Sequence, residues 1–171
     1  SVTVSPDGAS VYVASYSSDA VAVFDRASDG TLTQKAGTAG CIVNGASIDI
    51  TGCDNFGKAL QSAESVTVSP DGASAYVASY NSDAVAVFDR ATDGTLTQKA
   101  GAAGCIVNDA STDITGCDNT GKALNYPVSV TVSPDGASVY VASNHSSAVA
   151  VFEREVPSVP GVLFVLAGAP C

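Results

Sequence analysis

Four of the five cysteines occupy equivalent positions of an internal repeat. Cys41 and Cys53 lie in one copy, and Cys105 and Cys117 lie at the matching positions of the next. No His falls between them, and metal sites use shorter Cys spacings or added His, so two local disulfides are predicted. Disulfides persist in oxidising compartments, which predicts a secreted, cell-surface or periplasmic protein. Cys171 stands outside these pairs and is either free or joined to another chain.

The segments that hold the cysteine pairs also carry acidic residues, whose oxygens are the ligands that Ca²⁺ prefers. The candidates in the second copy are Asp109, Asp113 and Asp118. Their spacing departs from the Asp-x-Asp-x-Asp-Gly pattern with a distal Glu. A solvated acidic loop is therefore the favoured interpretation, Ca²⁺ is the alternative, and no other cofactor is indicated.

Ligand contacts are expected from the one histidine and from tyrosines in related turns. His145 can act as a general base, but no triad-like spacing accompanies it, so a surface turn is favoured and no catalytic residue is predicted. The chain has no Trp, which disfavours a sugar-stacking lectin. Tyr16 and Tyr80, with Tyr126, are the rings that could stack on a sugar instead.

Composition limits the partners of this 171-residue chain, whose formal net charge is −10. Such an acidic surface repels phosphate backbones, which excludes nucleic acid as an expected partner. No apolar run is long enough to span a membrane. Apolar residues make up 46% of the chain, which is enough to build a core, and charged residues make up only 14%. Lys, Glu, Leu and Met are scarce or absent, whereas Val, Thr, Tyr, Ser and Gly are abundant, which favours strands and turns over a helical bundle.

An identical stretch, Ser-Val-Thr-Val-Ser-Pro-Asp-Gly-Ala-Ser, begins at Ser1, Ser65 and Ser129. This period of 64 residues divides the chain into repeats 1–64, 65–128 and 129–171. Fixed periods of this size indicate stacked or ringed units within one domain. Each repeat predicts short antiparallel strands, which in the first copy fall at 1–5, 10–15, 20–25 and 31–35. The connection 36–64 is predicted to be a disulfide-limited loop.

Some polar positions recur in every repeat. The aspartates of Ser-Pro-Asp-Gly are predicted to form turns, and they are Asp7, Asp71 and Asp135. Asp19 and Asp83, before the third strand, are predicted to have a turn or capping role. The arginines that follow an acid at the end of the third strand are predicted to pair between repeats or with solvent, and they are Arg26, Arg90 and Arg154.

Strands with apolar or small residues on both faces need cover on both faces, which a ring of blades supplies. Ser-Pro-Asp-Gly, Tyr-Val-Ala-Ser and Asp-Ala-Val-Ala-Val-Phe-Asp together resemble the YVTN-type repeat of lactonase-like β-propellers. The resemblance covers about the first 35 residues of each repeat. It implies an all-β propeller of four-stranded blades and suggests a hydrolase, although no set of His, Glu and Arg can be assigned.

The third repeat departs from the pattern after Arg154, where the apolar segment 162–167 is predicted to substitute for the fourth strand. Three blades are fewer than a closed ring needs, so we expect either a longer parent chain or self-association into a six-bladed ring. The expected function is a non-enzymatic scaffold that binds a protein or a glycan. The alternatives are a lactonase-like hydrolase and a lectin formed by oligomerisation.

Overall fold

The computed structural model describes residues 1–45, 50–109, 114 and 116–154. Within this part of the chain each repeat forms one β-sheet, and no α-helix occurs. The three sheets are consecutive blades of a partial β-propeller, as the sequence predicts. The strands of the first blade are β1 (Val2–Val4), β2 (Ser10–Ser15), β3 (Ala20–Arg26), β4 (Leu32–Gln34), β5 (Cys41–Asn44) and β6 (Phe56–Gly57).

The second and third blades repeat this order as far as they are described. The second contains β7 (Ala63–Val68), β8 (Ser74–Ser79), β9 (Ala84–Arg90), β10 (Leu96–Gln98), β11 (Cys105–Asn108) and β12 (Asn119–Gly121). The third contains β13 (Pro127–Val132), β14 (Ser138–Ser143) and β15 (Ala148–Glu153). The predicted substitute strand at 162–167 and Cys171 lie outside the described residues.

The first three strands of each blade form an antiparallel meander in one shared register. Tyr12 lies opposite Val23 in the first blade, and Tyr76 lies opposite Val87 in the second. Side chains alternate between the two faces of a strand, so blades in the same register present equivalent residues to the preceding blade and equivalent residues to the following blade.

The fourth strand differs from the expectation because it is interrupted. The connection after it, which was predicted to be a loop, contains a further strand. The short β4 pairs only with the end of β3, from Phe24 to Arg26. The remaining edge of β3 pairs with β5, which runs in the same direction as β4 after a single 3₁₀ turn at Gly37–Ala39. The connection therefore supplies the second half of an interrupted fourth strand, and β6 adds a short parallel pairing beyond it.

Apolar side chains fill both spaces between the blades. Tyr12 and Val23 of the first blade pack against Val66 and Phe88 of the second. The opposite face of the second blade packs against the third in an equivalent cluster. The middle blade is thus covered on both faces, and every residue of its β8 is buried. This arrangement explains why the strands carry small or apolar residues on both sides.

The Ser-Pro-Asp-Gly turns join the first two strands of each blade, as predicted. In the first turn the Gly8 amide donates to the Ser5 carbonyl oxygen at 2.8 Å, and Gly8 has a φ of +72°, which favours glycine. The Asp7 carboxylate accepts from the Ala9 amide at 3.0 Å.

No helix long and apolar enough to cross a membrane occurs among the described residues.

Candidate ligand-binding face

One end of the blades is built from two kinds of segment. These are the turns between the second and third strands (residues 16–19, 80–83 and 144–147) and the connectors that enter the next blade (61–62 and 125–126), and we call this end the connector face. The Tyr80 amide donates to the Ser62 carbonyl oxygen at 2.9 Å, and the Asn144 amide donates to that of Tyr126 at 2.9 Å. Each connector is thereby fixed to the turn of its own blade.

Aspartates in these turns fix the connector of the following blade. Asp19 and Asp83 have φ values of 51° and 50°, so both occupy the left-handed region at a turn. Oδ1 of Asp19 accepts from the Ser62 amide at 2.6 Å, and Oδ1 of Asp83 accepts from the Tyr126 amide at 2.8 Å. These contacts extend the predicted turn role, because each carboxylate also joins two blades.

A row of aromatic rings crosses all three blades on the connector face. The Tyr16 and Tyr80 ring centroids lie 6.2 Å apart in a tilted arrangement. Tyr80 and Tyr126 are stacked with centroids 4.4 Å apart and an angle of 7° between the ring planes. Tyr126 meets His145 edge to face at 5.5 Å. Tyr16 and His145, the two ends of the row, are exposed, and the two middle rings are half-buried.

The structure therefore brings together the tyrosines and the histidine that the sequence indicated separately. Tyr126 reaches the row because its backbone has a φ of 55°, held by the bond from its amide to Asp83. In the preceding repeat the matching residue is Ser62, with a φ of 58° and the equivalent bond to Asp19. The connector geometry is thus shared, and of the two described connectors only the one that enters the third blade carries an aromatic ring.

The cysteine pairs form the predicted disulfides. Cys41 and Cys53 have Cα atoms 5.6 Å apart, and Cys105 and Cys117 have Cα atoms 5.4 Å apart. Of the acids considered for Ca²⁺, Asp109 and Asp118 are exposed, and Asp113 lies outside the described residues. Among the described residues no three His, Cys, Asp or Glu side chains are grouped to hold a metal ion.

The opposite end of the blades carries charged contacts between neighbours. Nη2 of Arg90 lies 2.7 Å from Oδ2 of Asp7, and Nη2 of Arg154 lies 2.6 Å from Oδ2 of Asp71. The expectation that these arginines pair between blades is confirmed for both, whereas Nη1 of Arg26 donates to Gly8 of its own blade.

A buried tyrosine completes the contact between the first two blades. The Tyr12 hydroxyl donates to the Gly94 carbonyl oxygen at 2.7 Å and accepts from Nε of Arg90 at 2.7 Å. Burial raises the pKa of this hydroxyl, although the bond from Arg90 opposes the shift. This contact was not predicted from the sequence; the signal for it was a Tyr, a Gly and an Arg recurring at fixed positions of each repeat.

Comparison with known proteins identifies the fold. No protein-family model matches the chain, and no curated protein sequence matches it. Among solved structures, a candidate 6-phosphogluconolactonase of Bacteroides fragilis superposes with a TM-score of 0.59 at 22% identity, over 91% of this chain and 34% of that one. The periplasmic gluconolactonase PpgL of Pseudomonas aeruginosa gives 0.55 at 22%, over 91% and 38%.

The chain has a β-propeller fold. The β-propeller domain of Myceliophthora thermophila Cps50 also superposes, with a TM-score of 0.52 at 10% identity, over 90% of this chain and 40% of that one. The chain thus spans between a third and two fifths of the length of these three structures. Because propellers with different names share this arrangement, the fold by itself does not assign an activity.

Proposed function

We propose that this chain binds the ring of a neutral sugar or sugar lactone on the aromatic row of its connector face. The observation that supports this most directly is the row Tyr16–Tyr80–Tyr126–His145, which spans three blades. Aromatic faces pack against the C–H groups of sugar rings, and a ligand site needs a few polar groups as well. Because Tyr80 and Tyr126 stack on each other, the exposed Tyr16 offers the open ring face, and the two stacked rings offer their edges and hydroxyls. Exposed Ser17, Asn81 and Asn144 lie in the same turns and can supply these groups.

The distribution of positive charge favours a neutral ligand over a phosphorylated one. The chain has only seven Lys and Arg residues, against 17 Asp and Glu. Four of the seven are held in ion pairs with aspartates, and they are Lys35, Arg90, Lys99 and Arg154. Phosphate recognition uses clustered Arg or Lys, and the aromatic row contains neither.

The names of the similar structures support a lactone rather than an unrelated partner as the ligand class. Two of them are named for lactones of gluconate or its 6-phosphate. They favour the lactonase-like alternative over the purely structural scaffold expected from the sequence. The two disulfides fit an extracytoplasmic location for such binding.

Binding is tested by calorimetric titration with D-glucose, fresh D-glucono-1,5-lactone and glucose 6-phosphate. We expect the neutral compounds to bind more tightly than the phosphate. The variant Tyr126→Ser installs the residue found at position 62, so it keeps the connector backbone and removes one ring. Loss of one aromatic contact of about 1 kcal/mol should weaken binding about fivefold.

The control is Phe56→Thr, which removes an exposed aromatic ring of β6 outside the row and installs the residue found at position 120. It should leave the affinity unchanged. Equal affinity of Tyr126→Ser and the unaltered chain, or preference for the phosphate, would contradict the proposal.

Lactone hydrolysis is the second candidate, favoured by the names of the two lactonase neighbours. Water would add to the lactone carbonyl, the ring ester bond would break, and the acid formed would release one proton at neutral pH. The His145 imidazole can act as the general base. Proton release above the uncatalysed rate, measured by pH-stat, should therefore fall in His145→Asn, which installs the residue of position 81. A rate equal to the uncatalysed one would assign the chain to binding alone.

A further inference from the structure

The first and third blades each have one sheet face with no neighbouring blade among the described residues. Side chains on these open faces are unusually exposed for large apolar groups. On the first blade, Val2 is 65% exposed and Leu32 is 48% exposed. On the third blade, Val149 and Val151 are each 60% exposed.

The same positions are buried wherever a neighbouring blade is present. In the second blade, Val66 and Leu96, which match Val2 and Leu32, are 5% and 2% exposed. Val85, which matches Val149, is 1% exposed. The two open faces therefore carry the two halves of an interface that the molecule already forms twice within itself. Contiguous apolar surface of this kind marks an interaction site.

The polar groups at the open faces are complementary in the same register. Inside the chain, each blade's turn aspartate binds the arginine of the following blade, as in Asp7 with Arg90 and Asp71 with Arg154. This series leaves Asp135 at one end and Arg26 at the other, neither with an opposite charge among the described residues. Tyr140 of the third blade matches Tyr12 of the first. Tyr12 donates a hydrogen bond to the next blade, whereas Tyr140 faces outward and is 38% exposed.

We infer that the two open faces bind those of a second copy of this chain, with Asp135 accepting from Arg26 of the other copy. Tyr140 then takes the place of Tyr12 against Gly30 of the second copy, which matches Gly94. Two such contacts, related by a twofold axis, close a ring of six blades, which lies within the four to eight blades of known propellers. This inference is independent of the ligand proposed for the connector face.

Light scattering on the purified chain tests the inference, with a mass of two chains as the expected result. Arg26→Asp and Asp135→Arg should each raise the dissociation constant of the dimer at least tenfold, because each places like charges together at both contacts. Mixing the two variants places Arg opposite Asp at both contacts, so the mixture should regain the mass of two chains.

Further variants separate the interface from folding. Asp54→Arg makes the same charge change on an exposed loop residue and should leave the mass unchanged. Gly30→Ala adds a Cβ that meets nothing within 4 Å in one copy, whereas the matching Cβ on Gly94 would lie 2.1 Å from Ser10 Oγ of the adjacent blade. Gly30 has a φ of +90°, so Gly30→Ala strains the backbone within one copy about as much as Gly52→Ala does at +87°. Gly30→Ala alone should also weaken the dimer, through a contact with Ser138 of the other copy.

Asp135→Asn keeps an acceptor for the turn and removes the charge, so it should weaken the dimer without unfolding the turn. A monomeric unaltered chain, or a dimer that both charge reversals leave intact, would overturn the inference. Failure of the mixed variants to associate while each remains folded by circular dichroism would overturn it as well.

Discussion

The guanidinium group of Arg90 in the second blade lies 2.7 Å from the carboxylate of Asp7 in the first. The Arg90 side chain is only 4% exposed, and its Nε also donates to the hydroxyl of the buried Tyr12. One arginine thus connects a surface turn, a core tyrosine and a neighbouring sheet. The blades are held by this contact as well as by the apolar residues between them.

Replacing Arg90 with alanine should lower the free energy of unfolding by about 2 kcal/mol, since charge-assisted bonds to Asp7 and Tyr12 are lost together. Lys99→Ala is the matched control, because it removes a more exposed pair with Asp89 inside one blade and should cost less than about 1 kcal/mol. Urea unfolding at one fixed protein concentration measures both. Equal effects of the two substitutions would show that the contact between blades adds nothing.

Acid should destabilise the chain through its turn aspartates. A hydrogen bond from the Ser5 hydroxyl, then the Ala9 amide and Arg90, lowers the pKa of Asp7 from 3.8 to about 2. Burial raises the pKa of Asp71, but bonds from Ser69, Ala73 and Arg154 outweigh it and bring that pKa to about 2.

A carboxyl group with a lower pKa in the folded chain stabilises it above the unfolded pKa and loses that effect as the pH falls through the folded one. Unfolding free energy should therefore decrease between about pH 4 and pH 2. Ser5→Ala removes the first donor to Asp7, so its carboxyl resonance should titrate at higher pH by NMR. An unchanged Asp7 titration in Ser5→Ala would refute the assigned cause.

A side chain at Gly94 should destabilise the chain, because a neighbouring blade touches this residue. A Cβ there would lie 2.1 Å from Ser10 Oγ of the first blade, and Gly94 has a φ of +87°. Gly52 has the same φ of +87°, and a Cβ added to it would meet nothing within 4 Å, so Gly52→Ala measures backbone strain alone. Gly94→Ala should cost about 1 to 3 kcal/mol more than Gly52→Ala in thermal or urea unfolding. Equal costs would mean that the blades are not packed as described.

The two disulfides should contribute unequally to stability. Closure of loops of this length is worth about 3 kcal/mol for each bond in the chain-entropy model. Cys105 and Cys117 also belong to the apolar cluster between the first two blades, whereas Cys41 and Cys53 lie in a small cluster within the first blade. The double alanine variant of the second pair should therefore be the less stable of the two by urea unfolding. The reverse order would contradict this assignment of the clusters.

The repeated meander was predictable from sequence because its signals are local. The strand Ser10–Ser15 and the Ser-Pro-Asp-Gly turn follow from residue preferences within a few positions. The strand Cys41–Asn44 was not predicted, because it is short and follows a glycine-rich segment. Its pairing depends on the edge of β3 that β4 leaves open, which only the folded blade defines.

The residues of the candidate site could be predicted from the sequence, but their spatial arrangement could not. Tyr16, Tyr80 and His145 stand in equivalent turns, so the repeat alone placed them at one end of the blades. Their distances depend on how consecutive blades pack. The link through Tyr126 depends on a left-handed backbone held by Asp83 of the preceding blade. No local pattern encodes such a contact between repeats.

Tyrosine-selective NMR during titration with D-glucono-1,5-lactone tests the proposed function most directly. The chain has six tyrosines, of which Tyr12 and Tyr76 lie between blades and serve as internal controls. The ring resonances of Tyr16, Tyr80 and Tyr126 should shift together and saturate with one affinity, while the controls stay unchanged. Saturable shifts confined to other tyrosines, or no shifts at millimolar ligand, would contradict a ligand site on the aromatic row.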